Sequence, residues 1–181
     1  MNDRETAHWY VMRDLKRANA RQHAYEQLAE LGFYVFTPKV RKVVVRQGRK
    51  ERVEEPYIPS LLFVKCSRAC LDPVVERIPT LQYQWLRHQW RMPMTVPDTD
   101  MDRFIRAVSA TLSPRYYLPS EITPRMCDRP VRIIGGPLDG QEGTLITTRG
   151  SKVKRLLVSL PGLLAAGVEV DCEFIQFVGN E

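Results

Sequence analysis

Beyond Pro124 the chain offers short β-favouring runs and almost nothing of helical period, which constrains its fold more than any other feature. The runs are Val131 to Ile134, Gly143 to Thr147, Arg155 to Leu160, Gly167 to Val170 and Glu173 to Val178, separated by Gly or Pro turns. Five strands in about 55 residues would leave long exposed edges, so they predict a small closed β-barrel over residues 125–181. Only Leu163-Leu164-Ala165-Ala166 could add a turn of helix.

The first two runs flank Gly135-Gly136-Pro137-Leu138-Asp139-Gly140-Gln141-Glu142-Gly143, a glycine-rich loop of the kind that can cradle phosphate. A Walker-type loop needs Lys and Ser/Thr after its last glycine, whereas Gln141 and Glu142 follow Gly140 here, and a carboxylate repels phosphate. G-x-G-x-x-G is missing, and no helix follows to offer its N-terminus. The glycines are therefore expected to shape backbone. Gly136-Pro137 turns the chain out of one strand, and Gly140 and Gly143 are expected to take positive φ on the way into the next.

Upstream the pattern differs. Trp9-Tyr10-Val11-Met12 predicts a strand. Asn19 predicts a helix N-cap, with Ala20, Ala24, Leu28 and Leu31 at helical spacing and Gly32 as the stop. A strand over Phe33 to Phe36 follows. Residues 39–54 place Gln47-Gly48 between two Val/Arg arms, which predicts a projecting basic hairpin. Ile58-Pro59-Ser60-Leu61-Leu62-Phe63-Val64 reads as a central strand after its proline. Next come a helix capped by Ser67 with Leu71, Val74, Val75 and Ile78 inward, a strand near Leu81 to Leu86, and a helix opened by Pro97-Asp98 with Met101, Phe104, Ile105 and Val108 inward. This gives a domain over 1–110. Pro114, Pro119 and Pro124 then mark 111–124 as a linker resisting regular structure.

The net charge of +6 is concentrated at the front: residues 1–54 hold 12 Lys/Arg against 7 Asp/Glu, residues 55–181 hold 15 against 14. That asymmetry fits an N-terminal face meeting nucleic acid, and equally fits a solvated basic surface. Cys66, Cys70, Cys127 and Cys172 lack the compact four-ligand spacing of a zinc site and read as plain thiols. His8, His23 and His88 have no paired nucleophile or metal pattern, so neither enzyme chemistry nor a cofactor is expected. No apolar segment approaches the length of a membrane span and no leader pattern opens the chain, which predicts a cytoplasmic protein.

The strand-loop-strand around Gly-Pro-Leu-Asp-Gly-Gln-Glu-Gly resembles the KOW motif. Trp9-Tyr10-Val11, the helix and basic hairpin that follow, and Pro56 to Val64 resemble the N-terminal (NGN) domain of NusG-like transcription factors. Leu61 to Val64, Val96-Pro97-Asp98 with Met101 and Phe104-Ile105, and Val158 to Gly162 look like the specialised RfaH/UpxY-type antiterminators of Bacteroidetes capsular polysaccharide operons. Two departures from general NusG proteins are Pro59-Ser60-Leu61 in place of Pro-Gly-Tyr, and the lack of a KOW-loop aromatic near Gln141, a position linked to Rho or ribosome contact.

The resemblance implies an α+β protein: an NGN α/β sandwich with a mainly antiparallel sheet flanked by helices, joined to an SH3-like five-stranded KOW barrel. It implies a monomeric elongation and antitermination factor that binds the clamp helices of the largest RNA polymerase subunit. Tyr10, Tyr57, Ile58 and Pro59 are the expected contact patch. Lys16, Arg17, Arg21 and His23 are expected at non-template DNA or nascent leader RNA, and Arg46, Arg49, Lys50 and Arg52 at the opposite polymerase lobe or upstream DNA. Gly136, Pro137, Gly140 and Gly143 are structural, with ribosome contact through the KOW domain a further implication. The alternative is a KOW-type RNA-binding or ribosome-associated protein without polymerase contact. Fold-switching occurs among RfaH-like relatives, but the period-2 runs at Arg155 to Leu160 and Glu173 to Val178 favour a constitutive barrel here.

Overall fold

The computed structural model describes residues 5–17, 20–147 and 153–178. They fall into two compact units, Met1–Asp98 and Thr99–Glu181. In chain order the first runs β1 (Ala7–Asp14), α1 (Ala24–Glu30), β2 (Tyr34–Phe36), β3 (Lys39–Arg46), β4 (Arg49–Pro56), β5 (Leu61–Ser67), α2 (Arg68–Arg77), β6 (Leu81–Tyr83) and β7 (Thr95–Val96).

β1 is central. It pairs antiparallel with β5 from Ala7↔Ser67 to Arg13↔Leu61, β2 extends the sheet beyond β5, and β6 and β7 share β1's other edge. Four consecutive residues, Trp9 to Met12, are buried, as expected of a strand covered on both faces. Tyr10 and Met12 meet Leu62 and Val64 of β5, Leu28 of α1 and Leu71 of α2 in one apolar cluster.

α1 begins later than its apolar spacing suggests. The expected cap, Asn19, lies outside the described residues; the described helix starts at Ala24 with His23 as N-cap, and Ala20 precedes it. Its end matches expectation, with Gly32 at φ +85° just past the last turn. The basic hairpin also forms. β3 and β4 pair only with each other, in register from Lys39↔Pro56 to Arg46↔Arg49. Gln47 and Gly48, at φ +49° and +76°, make the tight turn whose twist suits a two-residue hairpin.

The second unit follows α3 (Asp98–Ser109), which starts at the boundary, with β8 (Arg115–Tyr117), β9 (Cys127–Ile133), β10 (Glu142–Ile146), β11 (Lys154–Leu160), β12 (Leu164–Val170) and β13 (Ile175–Phe177). The inward stripe of α3 is Met101, Phe104, Ala107 and Val108, with Ile105 only half-buried. The strands form one antiparallel sheet ordered β13-β9-β10-β11-β12-β8.

Three expectations change here. The boundary between compact units falls at residues 98/99, before α3, rather than near 110. The supposed linker contributes strand β8, because buried Tyr116 and Tyr117 can pair with Ala166 and Ala165 of β12 between the flanking prolines. Third, the sheet has six strands and, among the described residues, β13 and β8 remain as edges, so the expected closed five-stranded barrel is not found. Leu164-Ala165-Ala166 is strand, since full-length pairing with β11 outweighs its local helix preference. Among the described residues no helix is long and apolar enough to cross a membrane.

Candidate functional site

The turn from β4 to β5 sets the first candidate surface. Tyr57 N–H donates to the Pro38 carbonyl at 2.8 Å, and Leu61 N–H closes a turn onto the Ile58 carbonyl at 3.0 Å. Pro59 sits second in that turn, where its fixed φ suits the bend, and Asp14 N–H holds the Ser60 carbonyl from β1 at 2.9 Å. Tyr57 and Ile58 are half-buried and Pro59 is exposed. The turn thus offers a small apolar knuckle on a braced backbone.

Tyr10 does not join it. It lies four residues along β1 from Asp14, about 14 Å at strand rise, is 3% exposed, and packs edge-on to Tyr83 at 5.6 Å. It floors a separate concavity of about 430 Å³ whose apolar rim includes Leu86, Met92 and Pro93. Tyr83 donates its hydroxyl to Asp72 at 2.8 Å, and burial with that carboxylate drives its pKa well above the ordinary tyrosine value. Burial, reinforced by Cys70 and Asp72, pushes the nearby Cys66 thiol up to about 12. Neither group supplies a nucleophile near neutral pH.

The segment between β1 and α1 carries the second candidate surface, and a residue not anticipated from sequence organises it. Asp14, 2% exposed, accepts the Lys16 N–H through Oδ1 at 2.9 Å and the Ala24 N–H through Oδ2 at 2.8 Å. His23 Nδ1 stands 3.5 Å from the same Oδ2, and its ring stacks on Tyr25 at 5.8 Å. Glu26 accepts the His23 N–H at 2.9 Å, and Lys16 Nζ donates to the Gln22 carbonyl at 2.9 Å. Lys16 and His23 are therefore bound into the loop's scaffold, whereas Arg17 and Arg21 are exposed. No local signal in the sequence marks it, since Asp14 simply follows Arg13 at the end of the strand. We predict that Asp14→Asn, which puts an amide donor against a backbone donor, lowers stability by about 1–3 kcal/mol, read as a fall in the thermal unfolding midpoint.

The β3–β4 arm separates its charges by height. Arg41 pairs with Glu54 at 2.8 Å and Lys42 with Glu55 at 3.1 Å near the base. Arg41 also holds the Glu54 carboxyl below its usual value. Arg46, Arg49, Lys50 and Arg52 are exposed toward the tip, with Glu51 the one acidic residue among them. A polyanion would meet the cations at the tip first.

In the second unit the glycine loop performs backbone work. Gly135, Gly136 and Gly140 take φ of +88°, +68° and +76°, and Asp139 Oδ1 accepts the Gly135 N–H at 2.6 Å. Gly143 departs from expectation: it is not among the positive-φ glycines. A Cβ there would instead lie 2.5 Å from the Leu157 carbonyl oxygen. Close strand approach is why glycine stands at 143.

A family model described as "Transcription termination factor nusG" matches residues 7–105, more than half of the chain, from β1 into α3. The chain belongs to the NusG family. This NusG-family chain is also similar to a solved structure of Thermotoga maritima NusG, at 16% identity over 96% of this chain and 98% of that one, with a TM-score of 0.46. No curated protein matches it. Members of the NusG family are transcription factors, and the matched residues contain the apolar knuckle, the Asp14-organised loop and the basic arm.

Proposed function

We propose that the chain is a NusG-family elongation and antitermination factor of the specialised RfaH/UpxY kind. It binds RNA polymerase and promotes read-through of pauses and terminators in particular long operons, polysaccharide loci foremost. The observation that carries this reading is the family match across residues 7–105, which encloses the apolar and basic surfaces of the first unit.

Ile58 and Pro59 anchor the clamp helices of the largest polymerase subunit, with Tyr57 supporting the turn, while Tyr10 is core of the sheet away from that contact. Arg17 and Arg21 attract the phosphates of non-template DNA or nascent leader RNA, while Lys16 and His23 fix the loop that presents them. Arg46, Arg49, Lys50 and Arg52 extend the contact to the opposite lobe or upstream DNA. The second unit is a KOW-type module of SH3-like kinship whose glycine loop is structural. The protein works as a cytoplasmic monomer without cofactor, metal or catalysis.

A single-round transcription assay on a template with a pause, a terminator and the cognate leader tests the proposal. Added protein is expected to raise read-through; unchanged read-through at saturating protein overturns it. Pull-down from native lysate separates the alternative, since ribosomal proteins without polymerase subunits would favour a KOW-type RNA-binding role.

A further inference from the structure

We infer that the small hairpin over residues 84–94 is a binding site for unpaired nucleotides, separate from the basic loop and the β3–β4 arm. Met94 N–H donates to the Gln84 carbonyl at 2.7 Å and Leu86 N–H to the Met92 carbonyl at 3.0 Å, with a bridge at Trp85↔Pro93. These bonds hold residues 87–91 out at the tip. There Trp90 is 88% exposed and Trp85 is 43% exposed. An indole so fully in water contributes no packing to its own fold.

Its surroundings identify the ligand chemistry. Arg91, held at φ +48°, sets its guanidinium 5.4 Å from the Trp90 ring centroid. Arg87 and His88 are exposed beside it, and no Asp or Glu occurs from Arg77 through Pro97. Residues 85–91 line a concavity of about 500 Å³. An apolar protein surface would be a poor match for an indole set among cations with no acid in their own hairpin, because those cations would lose water without gaining partners. A single-stranded polynucleotide matches both parts: a base stacks on the ring and its phosphates meet the guanidinium groups. The strand must be unpaired, because a duplex hides base faces in its own stack.

Fluorescence anisotropy of the intact protein tests this with a labelled single-stranded 12-mer of DNA, the same 12-mer as RNA, and the matching DNA duplex. Trp90→Ala is expected to weaken binding of at least one single strand by about tenfold or more, to leave duplex binding unchanged, and to be partly rescued by Trp90→Phe. Arg87→Ala is expected to flatten the salt dependence of single-strand binding, with the log–log slope falling by about 0.7. The DNA and RNA arms identify the sugar. Trp90 is exposed, so an unchanged circular dichroism spectrum is expected of the variant. Wild-type single-strand affinity in Trp90→Ala overturns the inference, as does equal loss of single-strand and duplex binding. Intact oligonucleotide binding with lost polymerase copurification also overturns it, in favour of a protein contact. The assay contains no polymerase, so its failure leaves the proposed function standing, and failure of the transcription assay leaves this site standing.

Discussion

Ile58→Glu is expected to raise the dissociation constant for RNA polymerase about thirtyfold, the scale of a single interface hot spot worth about 2 kcal/mol. The substitution changes only a half-buried side chain on the β4–β5 turn. The Ile58 carbonyl still receives the Leu61 N–H, and the neighbouring Tyr57 N–H still reaches Pro38. The fold should therefore persist, with unchanged circular dichroism and melting midpoint, while a carboxylate now faces an apolar partner and must be desolvated without compensation. Copurification with polymerase and titration of labelled protein both read the loss. Retained binding would move the contact off the turn, and the concavity above Tyr10 would be the next surface to alter.

Gly143→Ala should be the most damaging conservative change in the second unit. The added methyl meets the Leu157 carbonyl oxygen at 2.5 Å and Leu156 Cδ1 at 2.9 Å. Backbone on β11 must retreat, at a cost of roughly 1–3 kcal/mol for overpacking. Amide exchange in β10 and β11 should accelerate as their pairing loosens. Gly140→Ala provides the contrast: nothing lies within 4 Å of its added methyl, but φ is +76°. Its penalty is conformational, about 1–2 kcal/mol, and should leave the β10–β11 amides protected. Equal exchange in both variants would refute the crowding argument.

Local chemistry was readable in the sequence wherever local chemistry decides. The four-residue run Trp9 to Met12, the Gln47-Gly48 turn and the Met101, Phe104 and Val108 spacing each led to the right element, since burial and turn geometry leave a period or a residue preference behind. Long-range pairing left no such trace. The prolines at 114, 119 and 124 suggested a linker, yet Arg115 to Tyr117 became a strand because β12 offered an edge. The same pairing prevented a simple five-strand count from describing the sheet.

The candidate surfaces divide along the same line. The proline after Ile58 marked only a strand entrance, and the turn there is seen in the Leu61 N–H bond to the Ile58 carbonyl; clustered Arg and Lys announced the basic segments. Tyr10 could not be sorted from Ile58 by composition, since both are large hydrophobic side chains; burial at 3% against half-burial separates them. Asp14 was equally hidden, because one carboxylate gathering two backbone donors from positions 16 and 24 depends on how the chain returns.

The β3–β4 arm has an evolutionary corollary. Its rungs bond only to each other, and its side chains repeat their facing every two residues. Inserting or deleting two residues in each strand would lengthen or shorten the arm while preserving every facing below the change. Reach can therefore vary among relatives in discrete steps, with the cationic tip carried outward or drawn back as a unit and the sheet beneath left untouched.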